Sequence, residues 1–209
     1  MLLFDDPLTF REYMTREKVP LADITRAVAN FISGRRDVVV FGAQAVNVYA
    51  DEKRMTADID VLSTDAEKLA EELRSYLAKK FYISVHVRPM TKKGAGFRVY
   101  QVTKPKNRTL VDVRQETRLP QSISKRGVRI VEPITLLAMK VKCYAARRNQ
   151  VKGDTDRVDI RRMLATFPEL RKLHGQVTDK LLEDGVSSAV LEIWYDFVHE
   201  RLEPDSDEY

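Results

Sequence analysis

The sequence predicts an α+β fold: strands and helices mixed through the first two thirds of the chain, then a helical C-terminal region. Three observations predict it. Val38-Val39-Val40-Phe41 is a continuous apolar run ending at Gly42 and passing into a helical period, as a strand covered on both faces and feeding a helix reads. Residues 81–88, 97–103 and 109–114 alternate in polarity and are separated by Gly94-Ala95-Gly96 and Lys104-Pro105-Lys106-Asn107, the pattern of a meander of hairpins. From Pro133 onward the apolar spacing is that of helices. The expected division is a core over 1–131, including N-terminal helices, and a helical region over 132–209 packed on it.

Taken in order, a short helix is expected around Leu8–Thr15. A second follows Pro20, with Leu21, Ile24, Val28 and Phe31 on one face and Ser33-Gly34 closing it. After the buried strand, Ala43, Val46, Asn47 and Ala50 fit one helical period, and Thr56–Leu62 alternates as a second strand. Thr64 is a suitable N-cap for a helix to about Lys80 with Leu69, Leu73 and Leu77 in a stripe. The three alternating runs come next, then a short strand at Val128–Val131.

Pro133 suits a first helical turn. Leu136, Lys140 and Tyr144 recur every four residues, and Arg147 completes that face. Residues 150–159 read as a loop entering a helix, with Asp154, Thr155 or Asp156 as its cap and Ile160, Met163 and Leu164 on its buried side. Asp159 has Arg147 or Lys140 as candidate ion-pair partners across the helix interface. Helices over Thr178–Asp184 and Ser187–Leu202 complete the chain, and Ala189, Ile193, Trp194, Phe197 and Leu202 form an apolar stripe that reads as bundle core.

Composition narrows the function classes. The 209 residues are 44% hydrophobic and 32% charged, the balance of a soluble globular protein. No apolar run approaches the ~20 residues of a membrane helix, and acids follow the early apolar patch where a signal peptide would be basic. A cytoplasmic protein with no membrane partner is expected. One cysteine, Cys143, excludes an internal disulfide and a Cys-rich zinc site, and reads as a small buried residue on a helix. The three histidines show no metal-ligand spacing. The net charge of +5 suits an anionic substrate, and the basic residues gather in clusters such as Lys104 to Arg108 and Lys140 to Arg148.

The chemistry concentrates at Asp58 and Asp60. On an alternating strand the two carboxylates share one face, where they repel each other unless the face is wet or a cation lies between them. Magnesium takes oxygen ligands, usually one or two carboxylates plus substrate phosphates, and a pair of ions can clamp the attacking and leaving oxygens of a phosphoryl displacement. A glycine between strand and helix aims backbone N–H groups at the same place, which suits phosphate. Asp112, between Val111 and Val113, is a lone acid on a strand.

A strand ending in glycine, a helix, then Thr56-Ala57-Asp58-Ile59-Asp60-Val61 resembles the nucleotidyltransferase superfamily of polymerase-beta-like fold. With Arg54 ahead of Thr56 it is most similar to the AbiEii-type nucleotidyltransferase toxins. The resemblance covers about residues 37–62 and, more weakly, 108–165. It implies a mixed sheet flanked by helices and Mg²⁺-dependent transfer of a nucleotide monophosphate from an NTP to an acceptor hydroxyl. Asp58, Asp60 and Asp112 would hold one or two metal ions, with Asp112 activating the acceptor. Gly42, Ala43, Gln44, Arg54 and Thr56 would lie at the nucleotide. Lys140, Arg147 and Asp156 match the family's helix lysine, arginine and following aspartate, Lys140 counting among the catalytic residues. The family usually has Ser or Gly after the glycine; Ala43-Gln44 keeps the backbone amides and lacks the hydroxyl. RNA is an implied acceptor and a cognate antitoxin an implied partner. The alternative is a catalytically degenerate module that binds nucleotide or RNA.

Overall fold

A computed structural model describes residues 19–90 and 94–201. The expected helix at 8–15 and the end of the C-terminal stripe at Leu202 lie outside them. The chain divides into two units, one running to Val48 and from Glu52 to Glu132, the other made of Tyr49–Asp51 and the chain from Pro133. Tyr49, the last residue of the helix after the first strand, and the two residues following it go with the second unit.

The first unit is built on one mixed seven-stranded sheet. Its strands are β1 (Val38–Phe41), β2 (Ile59–Ser63), β3 (Val85–Pro89), β4 (Gly96–Gln101), β5 (Arg108–Gln115), β6 (Ser122–Lys125) and β7 (Val128–Val131). They lie in the order β3-β4-β5-β2-β1-β7-β6. β2 runs antiparallel to β1 and parallel to β5, β1 runs parallel to β7, and the outer pairs are antiparallel. All four β1 residues are buried, which their lack of alternation anticipates.

Helix α1 (Leu21–Ile32) starts where the Pro20 carbonyl accepts from the Asp23 and Ile24 amides, and buries Leu21, Ile24, Val28 and Ile32. Helix α2 (Gly42–Tyr49) begins at Gly42 itself, with no separate turn. Helix α3 (Ala66–Phe81) is capped by Asp65, which accepts from the Lys68 amide at 3.3 Å, so the cap lies one residue beyond Thr64. Leu69, Leu73 and Leu77 are fully buried as their spacing requires, and α3 packs on β2 to β5 with α1 beside it.

Two strand expectations shift. The run at Phe81 is claimed by α3 until Tyr82 turns left-handed, so β3 starts only at Val85. Strand β6 was not expected: its four residues carry one apolar side chain, which is exposed. It forms because Arg126 and Gly127, at φ 50° and 81°, make a two-residue turn joining Lys125 to Val128.

The second unit is helical: α4 (Pro133–Arg147), α5 (Val151–Thr166), a 3₁₀ turn (Pro168–Leu170), α6 (Gln176–Glu183) and α7 (Ser188–His199). Residues 151–159 are helix, not loop. Gly153 reads as a breaker in sequence, yet a Cβ there would lie 2.4 Å from the Arg147 carbonyl oxygen. The glycine therefore permits close approach to the end of α4. Asp154, Thr155 and Asp156 are consequently inside α5 rather than capping it. Ile193, Trp194 and Phe197 are buried as expected, whereas Ala189 is exposed. The Trp194 indole donates to Thr178 Oγ1 at 2.9 Å. Cys143 lies on α4 and is half-buried.

Candidate active site

The site forms where the C-terminal end of β1 meets the start of β2. Phe41 pairs with Asp60, so the residue that opens α2 stands beside the carboxylate. Gly42 has φ +72°, and a Cβ built on it would lie 2.3 Å from Asp60 Oδ2. Only glycine satisfies both the backbone angle and the space.

Asp58 lies in the bend before β2, one residue ahead of the strand, rather than on it. The strand starts late because α2 holds the preceding segment. Asn47 donates from Nδ2 to the Arg54 carbonyl at 2.7 Å and accepts from the Arg54 amide at 3.1 Å. Gln44 donates from Nε2 to Thr56 Oγ1. Gln44, Asn47 and Thr56 are all buried. In this structure Gln44 and Thr56, both expected at the nucleotide, meet each other and help fasten the 54–56 segment that delivers Asp58. Arg54, half-buried, turns its guanidinium toward the Met55 carbonyl.

Asp112 stands in register with Asp60 on the adjacent parallel strand β5. It is buried, and both its oxygens are held by Arg98 of β4: Nε donates to Oδ1 at 2.7 Å and Nη2 to Oδ2 at 2.6 Å. Sequence reading missed Arg98. Its only signal was a place on an alternating strand whose register to β5 could not be known. The guanidinium pKa is raised, first by the hydrogen bonds to Asp112, against an opposing effect of burial, and further by the charges of Asp112, Asp58 and Asp60. Arg98 thus lies within the field of all three carboxylates.

Asp58 and Asp60 are the residues that could hold a magnesium ion. Both are half-buried carboxylates near the helix start at Gly42, and magnesium needs only one or two such ligands when substrate phosphates supply others. Among the described residues no group of three His, Cys, Asp or Glu side chains is arranged to hold a metal. Both oxygens of Asp112, the third expected ligand, are engaged by Arg98 in this structure.

Lys140, Arg147 and Asp156 form a cluster within the second unit. Lys140 Nζ donates to Asp159 Oδ2 at 2.6 Å and to Asp156 Oδ1 at 3.3 Å, and Arg147 Nε donates to Asp156 Oδ2 at 2.5 Å. Lys140, Asp156 and Asp159 are buried. The ion pair anticipated for Asp159 is present. The cluster ties α4 to α5 through Lys140, Arg147, Asp156 and Asp159.

This mixed sheet, with a glycine-opened helix after β1 and Asp60 and Asp112 in register on the adjacent strands β2 and β5, is a nucleotidyltransferase-like fold. A Helicobacter pylori structure solved as a candidate nucleotidyltransferase matches with TM-score 0.56 at 14% identity, covering 92% of this chain and 96% of that one. JHP933 from H. pylori matches with TM-score 0.53 at 15% identity over 92% and 94% of the two chains. The Megavirus polyadenylate synthase matches with TM-score 0.50 at 14% identity, over 78% of this chain and 34% of that enzyme. At such identities the likeness is one of fold. No protein-family model matches the sequence, and no curated protein does.

Proposed function

We propose that the protein is a nucleotidyltransferase that moves a nucleotide monophosphate from an NTP to an acceptor hydroxyl. The observation that carries this reading is the contact of Asp60 with Gly42, with Asp112 in register beside it. It puts carboxylates and the amide-bearing start of a helix at one place, where metal and triphosphate are wanted together.

In this reading Asp58 and Asp60 hold magnesium, which supplies charge neutralisation for the phosphates when bound. The backbone amides from Gly42 and Ala43 face the phosphates. The acceptor oxygen bonds to the α-phosphorus, the bond from that phosphorus to the bridging oxygen breaks, and pyrophosphate leaves. Asp112 would receive the acceptor proton once its contact with Arg98 opens. Catalysis rests on positioning and on stabilising spreading negative charge. The finer expectations, an RNA acceptor, a toxin role with an antitoxin and a cytoplasmic site, belong to this reading and rest on the sequence resemblance. No described helix is long and apolar enough to cross a membrane.

The test is transfer of label from an α-phosphate-labelled NTP to RNA or protein, with and without Mg²⁺. Asp58→Asn and Asp60→Asn should abolish it. Labelling that persists in either variant sinks the assignment. A second reading, a nucleotide- or RNA-binding module without turnover, is favoured by the capture of Asp112 by Arg98 and by the missing hydroxyl after Gly42. It predicts NTP or RNA binding and no labelled product.

A further inference from the structure

The acids do not stand alone on their face of the sheet. Strand register places Arg88, Arg98, Asp112, Asp60 and Phe41 in one row across β3, β4, β5, β2 and β1. His86 and Tyr100 pair one step along β3 and β4 on the same face. Their rings stack with centroids 6.0 Å apart and planes at 28°. The Arg88 guanidinium lies over the Tyr100 ring, 5.6 Å from its centroid. Arg114, two residues beyond Asp112, lies over Phe41 at 4.9 Å. His86, Arg88 and Arg114 are exposed.

Among the described residues Arg88 and Arg114 meet aromatic rings and no carboxylate. Their charge therefore faces solvent, beside a half-buried Tyr100 ring carrying the exposed His86 ring and, for Arg114, a buried Phe41 ring. That pairing of chemistries suits a single strand of nucleic acid, whose phosphates seek arginine and whose unpaired bases stack on aromatic rings. A duplex hides its base faces and has no use for Tyr100. The row also has a direction. β3 is the sheet edge, and three strand spacings, about 14 Å in all, separate it from Asp60 on β2.

We propose that this face of β3, β4 and β5 is the acceptor platform: it binds the end of a single-stranded RNA, with a base on Tyr100 and His86 and phosphates on Arg88 and Arg114. The strand enters over the β3 edge and its terminal hydroxyl reaches the carboxylates. The inference rests on the proposed transferase reading and names the surface that takes its acceptor.

Fluorescence anisotropy of the full chain with a labelled single-stranded RNA, in EDTA and without NTP, tests binding apart from chemistry. Arg88→Glu should weaken binding about tenfold or more, and Tyr100→Leu about tenfold. Arg88→Gln should lower the slope of log affinity against log salt by about one phosphate contact. Lys79→Glu, the same charge change on exposed α3, should have little effect. Single-stranded DNA of the same sequence and a blunt RNA duplex serve as comparisons. Weaker binding of both supports the proposal. No binding by the wild-type chain, equal loss in Lys79→Glu, unchanged binding in Arg88→Glu, or duplex and DNA bound as well as RNA overturns it. Binding as expected without nucleotide transfer keeps the platform and removes the transferase, whereas transfer to another acceptor without RNA binding does the reverse.

Discussion

Gly42 and Asp60 compete for one volume: the carboxylate oxygen fills the space that any side chain at position 42 would take. The strand end, the helix start and the acid are thus one construction. Gly42→Ala should destabilise the protein by about 1–3 kcal/mol, because alanine must adopt a left-handed backbone and push Asp60 aside. Chemical denaturation measures the first effect. Displacement of Asp60 should also weaken Mg²⁺-dependent NTP binding, measured by calorimetry. A Gly42→Ala variant as stable as the parent contradicts the packing described.

Arg98 supplies the positive charge that three neighbouring carboxylates need. Arg98→Gln leaves Asp112 buried without its bidentate partner, at a cost of about 1–3 kcal/mol or more. Without magnesium the melting temperature should fall. Added Mg²⁺ should raise it by more than in the parent, because the ion then has a less compensated acidic site. Identical magnesium shifts in both proteins would show that Arg98 and the metal site are independent.

The buried cluster on α4 and α5 is tested at Lys140. Lys140→Met removes the lysine that meets both Asp156 and Asp159 and should cost about 3–5 kcal/mol. Trp194 is the chain's single tryptophan and is buried in the same unit, so its fluorescence reports the transition. Replacing Asp159 with leucine in the same protein should recover part of the loss. Full stability of Lys140→Met together with lost NTP binding would return Lys140 to the phosphates.

Acid should weaken both units through two aspartates. The carboxyl of Asp37 is held below its ordinary 3.8 by hydrogen bonds from Arg35, against an opposing effect of burial. Burial pushes the carboxyl of Asp184 up, but Lys142 and Lys180 together outweigh it and leave it below 3.8. A folded-state value below the unfolded one means stability present above about pH 4 and lost as pH falls through the folded-state values. Denaturation midpoints measured from pH 5 to pH 2 should fall, and Asp37→Asn should flatten part of the fall. High salt should shrink the Asp37 contribution, since that side chain is 40% exposed.

The sequence by itself determined the elements whose evidence is local. Val38 to Phe41 carries no polar residue and reads as an inner strand, the Leu69, Leu73, Leu77 stripe has one period, and the glycine and the two aspartates sit within about twenty residues of one another. Tertiary structure decided everything that depends on register and approach. The capture of Asp112 by Arg98 follows from the pairing of β4 with β5, and a one-residue slip would have turned one side chain to the other face. The helical reading of residues 151–159 needed the close packing at Gly153, because a glycine that permits contact and one that ends a helix look alike in sequence. The row from Arg88 to Asp60 joins residues 28 positions apart through two intervening strands, an adjacency made by hydrogen-bonded pairing and by nothing in the order of the chain.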